Sequence, residues 1–121
     1  MFITLSSNAQ SRIGFTYDEI YQEFINNKPT VKKIDDGTLM LEISMEHTIT
    51  CYFFDQDGSC VLTAIGPKSQ EDFNMLVRMY NKDYIIVSSK EWKMYARGAV
   101  LKIILDYTDN GSPYFFWEEE Q

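Results

Sequence analysis

In Tyr17-Asp18-Glu19-Ile20-Tyr21-Gln22-Glu23-Phe24, the apolar side chains Tyr17, Ile20, Tyr21 and Phe24 recur at i, i+3, i+4 and i+7. That spacing lines one face of an α-helix. Thr16 stands just before the stretch and Glu19 three residues later, the pattern of a capping box. Asp18 and Glu19 also suit the positive end of the helix dipole. The helix should run to Asn26-Asn27, where Pro29 prevents continuation. The same stripe returns at Phe73, Leu76, Val77 and Tyr80, at a constant offset of 56 residues. It follows a second start signal, Ser69-x-x-Asp72, and should end near Asn81. The constant offset fits a duplicated helix-plus-strands unit. Two ordinary amphipathic helices explain it without duplication, since the later turns do not keep the offset.

Around the two stripes the chain alternates like β-strand. Thr30 to Ile34 is rich in β-branched residues, and Asp36-Gly37 is a hairpin signal. Leu39, Leu41, Ile43 and Met45 alternate with Met40, Glu42, Ser44 and Glu46, as on a strand with one buried face. Thr48 to Phe54 is strand-like on both faces, which predicts a central strand. Asp57-Gly58 turns the chain and Val61 to Ile65 returns it. Further strands are expected at Asp83 to Ser88, Val100 to Thr108 and Tyr114 to Trp117, the last two joined by Asn110-Gly111. Lys90 to Gly98 reads as helix, strand or loop. Residues 1–15 and 118–121 read as partly irregular, the latter as a frayed tail. The expected fold is α+β in a single domain over 1–121. It is an antiparallel, twisted sheet of about six to eight strands with the two amphipathic helices packed on one face.

Composition narrows the function. Of the 121 residues, 45% are hydrophobic and 15% aromatic, enough for a real core. The formal charge of −7 argues against direct nucleic-acid binding, because phosphate contacts need a basic face. No apolar run is long enough to span a bilayer, so no membrane role is expected. Met1-Phe2-Ile3-Thr4-Leu5 lacks the basic flank and the apolar length of a signal peptide, and a cytoplasmic location is expected if Met1 is the natural start. A two-residue turn at Asp57-Gly58 sets Cys51 opposite Ala64 and Cys60 opposite Asp55, on one face but out of register. A three-residue loop puts the thiols on opposite faces. Either way they should remain reduced and mostly buried.

The chain offers little for catalysis. His47 is the sole histidine and falls at a turn between two strands, with nothing local to orient it for general-base work. One histidine and two misregistered cysteines cannot supply a tetrahedral zinc set. Asp55-x-Asp57-Gly58 shares its opening with a calcium loop, but glycine is at the fourth position and no glutamate closes the loop. Asp35-Asp36 and Asp55/Asp57 fall in turns, where aspartate is favoured for its backbone hydrogen bonds rather than for acid–base chemistry. Gly66-Pro67-Lys68-Ser69 lacks P-loop spacing and reads as a strand-to-helix link. No cofactor or metal is expected.

Aromatic residues are the excess. Eight Tyr, eight Phe and two Trp exceed what two helices and a sheet need. Tyr114/Phe116 and Phe115/Trp117 occupy both faces of the last strand and cannot share one core. The expected interaction surface is Trp92, Tyr95, Tyr114 and Trp117, since Tyr and Trp are favoured interface anchors. The function expected is therefore a non-enzymatic protein–protein interaction module: a small acidic adaptor, chaperone or inhibitor that binds a protein partner or itself as a homodimer. An alternative is a small-molecule binder or enzyme with an apolar pocket between helices and sheet, lined by Tyr21, Tyr80 and Phe53. A third is an acidic mimic of nucleic acid that inhibits a nucleic-acid-binding protein.

Overall fold

Thr16 caps the first helix as its position predicts: its Oγ1 accepts from the Glu19 amide at 3.2 Å while Glu19 Oε1 accepts from the Thr16 amide at 2.8 Å. A computed structural model of the protein describes residues 12–34, 37–96 and 98–120. Helix α1 spans Tyr17–Glu23, and a 3₁₀ turn, Ile25–Asn27, follows it. The α-helix is shorter than its periodicity suggests because Phe24 leaves helical geometry and Lys28 turns left-handed at φ 54°. Helix α2 spans Gln70–Asp83, capped by Ser69 Oγ accepting from the Asp72 amide at 3.0 Å.

Most of the chain is sheet. The strands are β1 (Thr30–Lys33), β2 (Leu39–Ser44), β3 (Thr48–Phe54), β4 (Cys60–Pro67), β5 (Ile85–Ser88), β6 (Glu91–Ala96), β7 (Ala99–Tyr107) and β8 (Pro113–Glu119). They form one antiparallel eight-stranded sheet in the order β1-β2-β3-β4-β8-β7-β6-β5. Each helix thus precedes a four-stranded meander, and the two meanders join through their last strands, β4 and β8. The order reads the same from either side of that seam. β1 and β5 hold equivalent places, each the first strand of its meander and each an edge of the sheet.

Two local expectations are revised, and one left open is decided. β8, the last strand in sequence, is a central strand between β4 and β7, so the sheet's own neighbours flank it and its tryptophan is not at a surface. That placement buries Phe115 and Trp117 and sets Tyr114 and Phe116 on the other face. The acidic stretch expected as a frayed tail is held as well: Glu118 and Glu119 pair with Lys102 and Leu101 on β7, and the Glu120 amide donates to the Val100 carbonyl. Lys90 to Gly98 contains strand β6. Asp35 and Asp36 lie outside the described residues, as do residues 1–11.

Residues directly opposed across a sheet project from the same face. Leu41, Tyr52, Thr63, Trp117, Ile103 and Trp92 are successive partners from β2 to β6. Leu41 and Tyr52 pack in a buried cluster with Ile20 and Phe24 from the first helical segment. Trp117, Ile103 and Trp92 pack in another with Leu76 and Tyr80 of α2, and Ile13 packs against both clusters. A third, smaller cluster gathers Met40, Cys51 and Ala64 with Ile49, Phe53, Tyr114 and Phe116. Along β3, Cys51 and Phe53 alternate with Tyr52, so this cluster belongs to the reverse face.

The cysteines follow from one irregularity. Cys51 opposes Ala64 as expected, but a register shift between Phe53 and Phe54 makes Cys60 oppose Phe54 rather than Asp55. Cys51 therefore packs with Met40 on one face and Cys60 with Tyr52 on the other, and both are free thiols.

Candidate functional site: the β5–β6 end of the sheet

The four residues expected at an interaction surface separate into two groups. Trp92 and Tyr95 lie three apart on β6, so a strand sends them to opposite faces. Trp92 is buried and its Nε1 donates to Asn81 Oδ1 at 2.8 Å, tying β6 to α2. Trp117 is fully buried and its Nε1 donates to the Tyr80 hydroxyl at 3.4 Å. Tyr80 is the hub here: Trp92, Phe115 and Trp117 all meet its ring edge-on or tilted within 5.1–5.7 Å. Burial pushes its phenol well above the usual range. Both tryptophans are thus interior side chains.

Tyr95 and Tyr114 are the accessible pair. Tyr95 is 65% exposed, the most exposed large apolar side chain described. Tyr114 is half-buried beside Phe116, over Gly66, and β7 separates its strand from that of Tyr95.

Next to Tyr95 lies a feature that sequence reading missed. Ile85, Ile86 and Val87 are 51%, 56% and 49% exposed, and they are consecutive on the edge strand β5. Ile85 opposes Lys93 and shares its face with Tyr95, while Ile86 opposes Trp92. Alternation thus sends apolar side chains to both faces of a strand whose outer edge has no neighbour among the described residues. A short run of aliphatic residues ordinarily marks an interior strand. Nothing in Ile85-Ile86-Val87 itself distinguishes centre from edge, because that depends on which strand pairs with β6.

β1, the equivalent edge, is treated differently. It follows Pro29 and carries Lys32 and Lys33 in its four residues, with Lys32 Nζ 3.1 Å from Glu42 Oε1. Proline and lysine on an edge strand oppose the addition of another strand. β5 has neither. Its restraints among the described residues are its shortness and a register shift between Ile86 and Ser88.

The other chemistry-bearing residues are accounted for locally. His47 sits in the β2–β3 turn with Nδ1 2.8 Å from Asp72 Oδ1, which straps that turn to the first turn of α2. Asp55 Oδ1 accepts from the Asp57 and Ser59 amides, a turn-closing pattern. Among the described residues no group of three His, Cys, Asp or Glu side chains is arranged to hold a metal. Tyr21 and Tyr80 fall in different clusters and Phe53 on the reverse face, so these three do not line a common pocket. A cleft of about 460 Å³ with a mixed polar and apolar lining lies among Ile13, Cys60, Lys102 and Glu118–Glu120, and its lysine is paired with Glu118 at 3.4 Å. Among the described residues no helix is long and apolar enough to cross a membrane. The chain matches no protein-family model, no curated protein and no solved structure.

Proposed function

We propose that the protein is a non-enzymatic protein-interaction module whose partner docks at the β5–β6 end of the sheet. One observation carries this reading: Ile85, Ile86, Val87 and Tyr95, four of the most exposed large apolar side chains, gather at one undefended edge. Apolar side chains concentrated in this way mark interaction sites more often than singly scattered ones do. The row from Leu41 to Trp92 supports a fold with both helices on one face, so a partner at β5 would meet the helix side through Ile86 and the reverse side through Ile85 and Tyr95. The formal charge of −7 keeps such a module soluble despite its exposed apolar edge.

Magnitudes limit how the edge can work. Fully burying one aliphatic side chain contributes about 1.5–3 kcal/mol, so completing a half-buried one adds about 1 kcal/mol. Association costs roughly 4–15 kcal/mol in lost freedom. Four side chains alone give weak binding, and the backbone of β5 has to contribute as well.

The test is native mass spectrometry of the untagged protein purified gently from its source cells, as wild type and as Ile86→Lys. The expected result is a second polypeptide on the wild type and its loss from the variant, with thermal stability kept because Ile86 is exposed. A bare monomer in both, or a partner retained by the variant, removes the reading.

A further inference from the structure

We infer that the reverse face of the sheet is a two-fold interface between two copies of this chain. The β5 edge lies outside this face, so the two surfaces are independent. The clusters that hold Ile20, Phe24, Leu76 and Tyr80 of the helical segments contain no side chain from the reverse face. That face has its own cluster, built from β2, β3, β4 and β8, and among the described residues no helix or loop residue belongs to it. An antiparallel sheet with one open face ordinarily puts polar residues there. Here the centre of the open face is apolar. Phe53 stands between Met40 and Leu62, and Phe116 between Ala64 and Ile104, as successive cross-strand partners. Met40, Cys51 and Ala64 form a buried floor, while Phe53 and Phe116 beside them stay partly open. A contiguous apolar patch of this kind marks an interaction surface.

Area, charge and twist point to a second copy. From β1 to β6 the face crosses seven strands, and Phe53, Cys51 and Ile49 mark three rows of side chains on β3. With strands about 4.8 Å apart and rows about 6.8 Å apart, it measures roughly 34 by 20 Å. Each copy then covers about 700 Å², and the pair about 1,400 Å², the size of a stable interface. An apolar centre inside a charged rim is also the usual anatomy of one. The rim is balanced. Lys32 Nζ lies 3.1 Å from Glu42 Oε1 on one side of the centre. On the other, Lys102 Nζ lies 3.4 Å from Glu118 Oε2 and Lys93 Nζ 2.8 Å from Glu120 Oε1. Alternation puts all six of these side chains on the reverse face. The formal charge of −7 therefore weighs on the rest of the chain, including Asp18, Glu19, Glu71 and Asp72 in the first turns of the two helices. Like-charged copies repel across acidic surfaces, and they meet least repulsion where lysines already balance glutamates. A basic partner finds its complement at the helices instead. Open sheets pack face to face about 30° apart because each carries the same twist, and a second copy supplies that twist.

Sedimentation velocity of the full chain at concentrations from about 1 to about 200 μM tests this. The expected result is a monomer of 14.2 kDa giving way to a dimer of twice that mass as concentration rises. Phe116→Ser and Ile104→Lys should each weaken the dimer by about tenfold or more, with the dispersion of the amide NMR spectrum kept. Ile86→Lys should leave the dimer intact, since β5 lies outside the face. A benzophenone amino acid at position 104 in the source cells should cross-link to a second copy of the chain. A monomer at every concentration overturns the inference. So does a dimer that survives both folded variants, or one that Ile86→Lys breaks. Dimer formation only after removal of residues 1–11 would make that segment the occupant. Cross-links from position 104 only to another polypeptide would make it a different protein, and either result overturns the second copy. The partner at β5 stands or falls separately, with Ile86→Lys in the source-cell complex.

Discussion

Gly66 shows how much one missing side chain can decide. A Cβ built at this position comes 2.7 Å from Cε2 and 2.9 Å from Cζ of Tyr114, so the aromatic ring occupies the space a side chain would need. Gly66→Ala must displace that ring and should destabilise the fold by about 1–3 kcal/mol. In Tyr114→Ala the obstruction is gone, so adding Gly66→Ala there should be nearly neutral; urea unfolding of the four members of this cycle measures the coupling. Additive losses would mean that the ring does not rest on Gly66. The cysteines are a second case. Burial, with a smaller contribution from Glu42, pushes the Cys51 thiol up to about 11, and burial raises Cys60, Tyr52 and Tyr80 as well. These are acids held neutral, with folded values above the unfolded ones. Their contribution to stability is complete below the unfolded thiol value, roughly 8.5, and is lost as pH rises through the folded value. The melting temperature should therefore be level from about pH 7 to 8.5 and fall between about pH 9 and 11, with a smaller fall in Cys51→Ala. A level profile to pH 11 would contradict the burial of these groups. The sequence showed that the thiols would not pair, but not that they face opposite sides. That depends on a one-residue shift at Phe53/Phe54, which reverses the faces of everything beyond it on one strand.

Elements were legible wherever one face is buried and the other wet. The stripes at 17–24 and 73–80 and the alternation at 39–46 each name a periodicity, and each forms the element it names. Lys90 to Gly98 was not legible, because Trp92 and Tyr95 satisfy helical spacing while facing opposite sides of a strand. Propensity was overridden by pairing: β6 exists because Ile103 and Ile104 of β7 oppose Trp92 and Glu91, and Asn81 accepts from the indole. Position within the sheet was also hidden. The last strand, β8, fills the centre of the sheet, while the aliphatic strand β5 forms an edge. The two placements have one physical source. Strand order depends on which non-local pairs form, and periodicity reports only how many faces of a strand are apolar. The candidate site suffered most from this. Trp92 and Trp117, expected at a surface, are buried in the core, Tyr95 is exposed, and β5 has no signal of its own.

At the scale of the whole molecule, the sheet reads as two meanders joined back to back at β4 and β8, each preceded by a helix. The offset of 56 residues between the helical stripes matches this repetition in topology, although the two halves differ in residue identity. The halves differ most visibly at their outer strands, one carrying two lysines and preceded by proline, the other Ile-Ile-Val-Ser. Site-specific photo-cross-linking compares these edges inside the same molecule. A benzophenone amino acid is placed at position 31 or at position 86 in the full chain within its source cells. The expected result is a cross-link to a different polypeptide from position 86 and none from position 31. Cross-links from position 31 alone, from neither position, or from position 86 only to a second copy of the chain would contradict a heterologous partner at β5.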